Sequence, residues 1–254
     1  MTAVLDHPYV LFLVTVVVQW GAAYAGDLLR RRLSAPAEDK RADFDLVRAA
    51  TLTLLGLIIG FSFQMAVNRF DQRKTYEREE ANAIGTAYLR ADLLPVEDAG
   101  KVRGLLTQYV HQRVLFYTVD DAAQLARIDS ETTNLQNALW QTVGRAATAN
   151  PTPLAALAAA GMNDVLNAEG YTQAAWWNRI PLAAWGMMGL IAIAANLVLG
   201  FGDRRTDTVL LLVLPVVVSI AFFLIADIDS PRAGVIRVLP QNLIALSQSL
   251  TTGH

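Results

Sequence analysis

Cysteine is absent from the 254 residues, and histidine occurs only at His7, His111 and His254. The first absence excludes disulfides, thiolate metal sites, iron–sulfur ligation and cysteine nucleophiles together. The histidines are scattered without metal-ligand or catalytic spacing, and no H-E-x-x-H, G-x-S-x-G or P-loop pattern occurs. No enzyme chemistry, cofactor or metal is therefore expected. Charge is scarce as well: 17% of residues are charged, with a net charge of −2. A soluble domain carries about 25%. There is also no basic excess to hold a phosphate backbone, so nucleic acid is not an expected partner.

What is abundant is apolar sequence. Hydrophobic residues make up 54% of the chain, and the mean hydropathy is +0.33. Four runs of membrane-spanning length lack any charged residue: 8–26, 49–68, 180–202 and 208–226. Each is close to the roughly 20 residues that carry a helix across a ~30 Å hydrocarbon core. Even the shortest exceeds a signal-peptide core, and Arg30-Arg31-Arg32 follow the first run rather than precede it. A spanning helix is expected there, not a cleaved leader. The spans fall in two pairs: 1–68 with a basic loop at 27–48, and 180–227 with a short turn at 203–207. A block at 69–179 lies between the pairs, and a tail follows at 228–254.

The block has helical periodicity throughout. Ala81, Ile84 and Tyr88 extend the second span's helix toward Pro95. Val102, Leu105, Leu106, Tyr109, Val110 and Val114 share one face of a second helix. Leu125, Ile128, Leu135, Leu139 and Val143 share a face of a third, interrupted by Thr132. Pro153 suits the first turn of a helix over 154–168, and Gly170 is expected to break it before the third span. His111 is expected in solvent, and Glu77, Glu79 and Glu80 in helix-surface pairs with Arg73, Lys74 and Arg78. Trp176-Trp177 beside Arg179 suits the headgroup layer. The sequence predicts an all-α membrane protein, with four transmembrane helices in two pairs and a helical block between the second and third.

The second span differs from the others. All four contain polar residues (Gln19, then Thr51, Thr53, Ser62, Gln64 and Asn68, then Asn196, then Ser219), but they concentrate in the second. Gly56 and Gly60 form G-x-x-x-G, which permits close helix approach to a neighbouring second span or to the helix's own bundle. Thr53, Leu57, Phe61, Gln64 and Asn68 share one face, polar at both ends and apolar in the middle. Such a face suits a narrow aqueous path with an apolar constriction. A helix enclosed in its own bundle is the alternative. Arg69 stands at the exit.

Gly60-Phe61 followed at the same spacing by Arg69-Phe70 resembles the second transmembrane helix of bestrophin channels. The stretch from Glu80 through Ile84, Tyr88 and Arg90 to Pro95, with Asp227-Ile228-Asp229-Ser230-Pro231-Arg232, resembles the bacterial bestrophin-like membrane proteins over nearly the whole chain. The resemblance implies a ring-shaped homo-oligomer in a bacterial inner membrane, a pentamer being one ring size it allows. Its partners would be the bilayer, copies of itself and inorganic ions, chiefly anions such as chloride. It places pore-neck positions at Thr53, Leu57 and Phe61, with Gln64, Asn68 and Arg69 beyond them. The calcium-binding cluster of animal bestrophins has no counterpart, since Asp227 and Asp229 are too few.

The resemblance also bears on orientation. Arg30, Arg31, Arg32, Lys40, Arg41, Arg48, Arg204 and Arg205 lie on the short-loop side. Arg69, Arg73, Lys74, Arg78, Arg90, Arg179, Arg232 and Arg237 lie on the other. Discounting the long block would put the short loops inside the cell. The resemblance implies a cytoplasmic block instead, and five basic residues within positions 69–90 favour that arrangement. The competing functional reading is a non-conducting sensor or scaffold whose helical block binds a partner.

Overall fold

A computed structural model of the chain describes residues 7–32, 41–202 and 210–252. Positions 33–40 of the basic loop, the turn at 203–207 and His254 lie outside the described residues. Within them the chain is helical: α1 (Pro8–Arg32), α2 (Arg41–Arg90), α3 (Val96–Thr118), α4 (Ala122–Ala149), α5 (Pro153–Trp177), α6 (Leu182–Gly202), α7 (Leu210–Asp229) and α8 (Gln241–Thr252). A short 3-10 turn, Ala91–Leu93, follows α2, and no strand occurs among the described residues. Four of the helical stretches are long and apolar enough to cross a membrane.

Local chemistry accounts for the helix ends. The Asp121 carboxylate accepts the Gln124 backbone N–H at 2.8 Å and starts α4. The Thr152 hydroxyl accepts from Ala155 N at 3.1 Å and starts α5, with Pro153 at its first position. Gly170 does not end α5, contrary to the sequence expectation: the helix runs through it to Trp177. A helical glycine costs only ~1 kcal/mol relative to alanine, and the buried side chains of Ala168, Thr172 and Ala175 hold the helix on either side. The break falls at Asn178, just before Pro181, whose ring disfavours helix at the residue preceding it.

The chain forms two compact units. One comprises Met1–Phe70 and Arg179–Arg237. In it α1 packs on α6 and α7, and these pack on each other. Leu55 and Ala66 of α2 join a core with Trp185, Met188, Ala192 and Ala195 of α6 and Val218, Phe222 and Ile225 of α7. Leu13, Val17, Leu190 and Val217 point outward, an apolar exterior suited to lipid. The polar residues of three spans meet inside. Asn196 donates to Gln19 Oε1 at 3.1 Å and Gln19 to Ser219 Oγ at 3.3 Å, all three buried. Here α1 and α6 touch backbone to backbone, because a Cβ on Gly200 would overlap the Ala23 carbonyl oxygen and one on Gly26 that of Leu197.

The second unit comprises Asp71–Asn178 and Val238–His254. There α3 packs on α4 and α8, and α5 packs on α4. Ile84, Val102, Leu106, Val110, Leu139, Met162 and Val165 are almost wholly buried. Glu77 of α2 caps α8: its carboxylate accepts the backbone N–H groups of Asn242 at 2.9 Å and Leu243 at 3.0 Å. It also takes the Asn242 side-chain amide at 2.6 Å, completing an N-terminal anion site of the kind a helix favours.

Candidate functional site

The face read from the sequence sits on α2, whose 50 residues form one unbroken helix of roughly 75 Å. Leu55, Ser62 and Ala66 point into the first unit's core. Thr53, Leu57, Phe61, Gln64 and Asn68 lie on the opposite side and are all exposed. Leu57 is 51% and Phe61 63% accessible, which excludes the reading of a helix enclosed in its own bundle. Thr53 Oγ1 donates to the Ala49 carbonyl at 2.9 Å, satisfying that hydroxyl within its own helix. Gln64 Nε2 donates to Asn68 Oδ1 at 2.8 Å, leaving a Gln64 carbonyl and Asn68 N–H groups to serve a solute. The face therefore presents hydroxyl, two apolar side chains and two amides in order.

Arg69 does not join them. It is five positions beyond Gln64, about 140° around the helix, and only partly exposed. Its Nε is enclosed without a hydrogen-bond partner. Gly56 and Gly60 also behave differently from one of their two expected uses. A Cβ at either would meet nothing within 4 Å, so neither makes a close approach inside this chain's bundle. That approach is made by Gly26 and Gly200 on α1 and α6.

The glutamates of α2 need a larger correction. Glu77 and Glu80 were expected on the surface, yet both are buried, as is Arg73. Glu80 forms an ion pair with the guanidinium of Arg113 on α3. Its other oxygen accepts the Thr172 hydroxyl of α5 at 2.8 Å. Glu169 stands 3.7 Å from Arg113, whose guanidinium also lies 4.5 Å over the Phe116 ring. Tyr109 OH accepts from Gln136 at 3.3 Å. Burial first, and the Glu80 charge second, push the Tyr109 and Tyr117 phenols well above the ordinary tyrosine range. A sequence signal for this network exists: Arg113 falls among Tyr109, Val110 and Phe116 on an apolar face, and Glu80 is one turn before Ile84. Arg73 and Lys74, four and three residues before Glu77, masked it.

Asp227 and Asp229 are buried and already engaged. Asp227 accepts from Val235 N at 2.7 Å and Ile236 N at 2.9 Å. Asp229 accepts from Ile180 N at 3.2 Å and stands 3.6 Å from Arg179. Their oxygens shape the chain before α6 and after α7.

The fold is that of several solved bacterial proteins. Over 95% of this chain and 96% of the other, it superposes on a tryptophan-to-alanine variant of a bacterial bestrophin homologue from Klebsiella pneumoniae, with a TM-score of 0.66 and 13% identity. An aspartate-to-alanine variant of that homologue gives 0.65 at 15% identity, covering 96% and 98%. The form solved by zinc phasing gives 0.64 at 15% identity, covering 95% and 96%. A comparison with curated proteins gives no match. With this fold, four membrane-length helices and the Gly60-Phe61 and Asp227–Arg232 signatures on the page, the sequence itself matches the Bestrophin-like domain over residues 15–243, and the chain belongs to the bestrophin-like family.

Proposed function

We propose that this protein is a multi-pass ion channel of the bacterial inner membrane, in which copies of the chain surround a pore and present the outer face of α2 to it. The observation that carries the reading is the exposure of Thr53, Leu57, Phe61, Gln64 and Asn68 together, directly opposite the residues α2 packs into its own core. Leu57 and Phe61 form the neck. Water in a narrow apolar ring loses hydrogen bonds it cannot replace, so such a ring resists ions even when physically open. Gln64 and Asn68 replace part of an ion's hydration beyond it. A ring of this kind needs several copies of the chain, five being one ring size the family resemblance allows. The anion preference that the family resemblance implies for this pore gains nothing from Arg69, which stands off the shared face.

Planar-bilayer recordings of the purified protein and the Leu57→Ala/Phe61→Ala variant test the reading. Shortening and widening the apolar ring is expected to raise unitary conductance. Absence of current from both proteins, or identical current, would remove α2 from the conduction path and favour the sensor or scaffold reading, in which the helical block binds a partner.

A further inference from the structure

In the helical block, α3 packs on both α4 and α8, and a groove of about 340 Å³ opens over it between these two neighbours. Residues four positions apart share a helical side. On α3 two such pairs line the groove, Thr107 with His111 and Gln108 with Gln112. Glu131 with Leu135 lines it from α4, and Ser247 with Thr251 from α8. Leu135, buried, is the one apolar side chain in the lining. Among the described residues, no hydrogen bond or ion pair engages the side chains of Gln108, His111, Gln112, Glu131 or Ser247. Thr107 Oγ1 donates to the Arg103 carbonyl at 3.0 Å and Thr251 Oγ1 to that of Ser247 at 2.8 Å, so both hydroxyls keep lone pairs to accept with. Unspent donors and acceptors from three helices therefore converge on one concavity.

The lining narrows the class of ligand. An anion meets no lysine or arginine in it. A metal ion finds no third histidine or carboxylate beside His111 and Glu131. An organic cation gains little from Glu131, because exposed Arg127 stands one turn before it on α4 and offsets its field. An apolar molecule finds a single leucine. A solute with several hydroxyls fits, since each hydroxyl can donate to the Glu131 carboxylate or a glutamine carbonyl and accept from a glutamine amide. The volume is at the small end of the ~300–1,000 Å³ range of small-molecule clefts. We infer that this groove binds a small neutral polyhydroxyl solute, of the monosaccharide or polyol class. The inference is independent of the pore reading, because no residue of α2 lines the groove.

The test titrates the full-length protein, held in lipid nanodiscs free of sugar-headed detergent, with glucose and with myo-inositol. Saturation-transfer NMR reads binding, and cyclohexanol serves as the hydroxyl-poor analogue. Gln108 and Glu131 are exposed and engage no other side chain, so Gln108→Leu and Glu131→Leu are expected to melt as the wild type does. At least one of the two polyols should bind the wild type and cyclohexanol should not. Each variant should weaken that binding about fivefold, as the loss of a hydrogen-bonding partner predicts. Failure of both polyols to bind would show a groove that holds water alone, and overturns the inference. Equal binding of cyclohexanol overturns it too, as does wild-type affinity in both variants, which would place the solute elsewhere. None of these results bears on α2, whose part in conduction the bilayer recordings decide separately.

Discussion

Glu80 and Arg113 are both fully enclosed, 33 residues apart in sequence and on different helices. A buried ion pair adds little over a well-packed apolar pair, but removing one partner strands the other charge in a low-dielectric interior. Glu80→Gln is therefore expected to destabilise the helical block by about 3–5 kcal/mol. Glu80→Leu combined with Arg113→Met should recover most of that loss. Denaturant unfolding in detergent measures both, and a single-variant cost below about 1 kcal/mol would place the pair in contact with water. Sequence spacing offers Glu80 no basic residue three or four positions away on α2. Proximity to Arg113 and Thr172 exists only once three helices have packed.

At the scale of elements, the glycines of α2 and those of α1 and α6 behave differently. Gly200 lies where α1 and α6 meet backbone to backbone, so Gly200→Val forces the helices apart. Overpacking of this kind costs about 1–3 kcal/mol or more, and a lowered melting temperature in detergent is the expected readout. Gly60 faces open space in the single chain. Gly60→Leu is expected to leave the melting of the subunit unchanged and to disrupt the assembly, as read by native mass measurement. Unchanged oligomer size would remove Gly60 from the subunit interface. Gly56 and Gly60 are visible in the sequence as G-x-x-x-G, whereas Gly26 and Gly200 carry no such motif. Which glycines are used within a subunit depends on which helix sides face each other, and helix spacing alone carries no such information. The same holds for Gln19, Asn196 and Ser219: each is conspicuous in an apolar run, but their mutual hydrogen bonds depend on the docking of α1, α6 and α7.

For the whole molecule, orientation in the membrane is the open quantity with the most direct test. The chain has no cysteine, so one introduced at Ala122, an exposed position at the start of α4, is a unique thiol. With the block in the cytoplasm, that thiol resists an impermeant reagent applied to intact cells and reacts after permeabilisation. A cysteine at Ala37, which lies outside the described residues, should show the reverse pattern. Labelling of position 122 in intact cells would put the block outside and weaken the channel analogy.

Sequence alone determined the composition class, the four membrane-length helices, the all-α block between the second and third, and the α2 face with its apolar pair between polar ends. These follow from local quantities: the length of uncharged runs against bilayer thickness, and the 3.6-residue repeat that sorts side chains onto faces. Tertiary structure alone decided that the α2 face stays uncovered by its own bundle and that Glu77 and Glu80 are buried anchors. It also carried α5 through Gly170. Each of these depends on which surfaces of separate helices are brought together, and the free energy of that burial outweighs the local preferences on which the sequence reading rests.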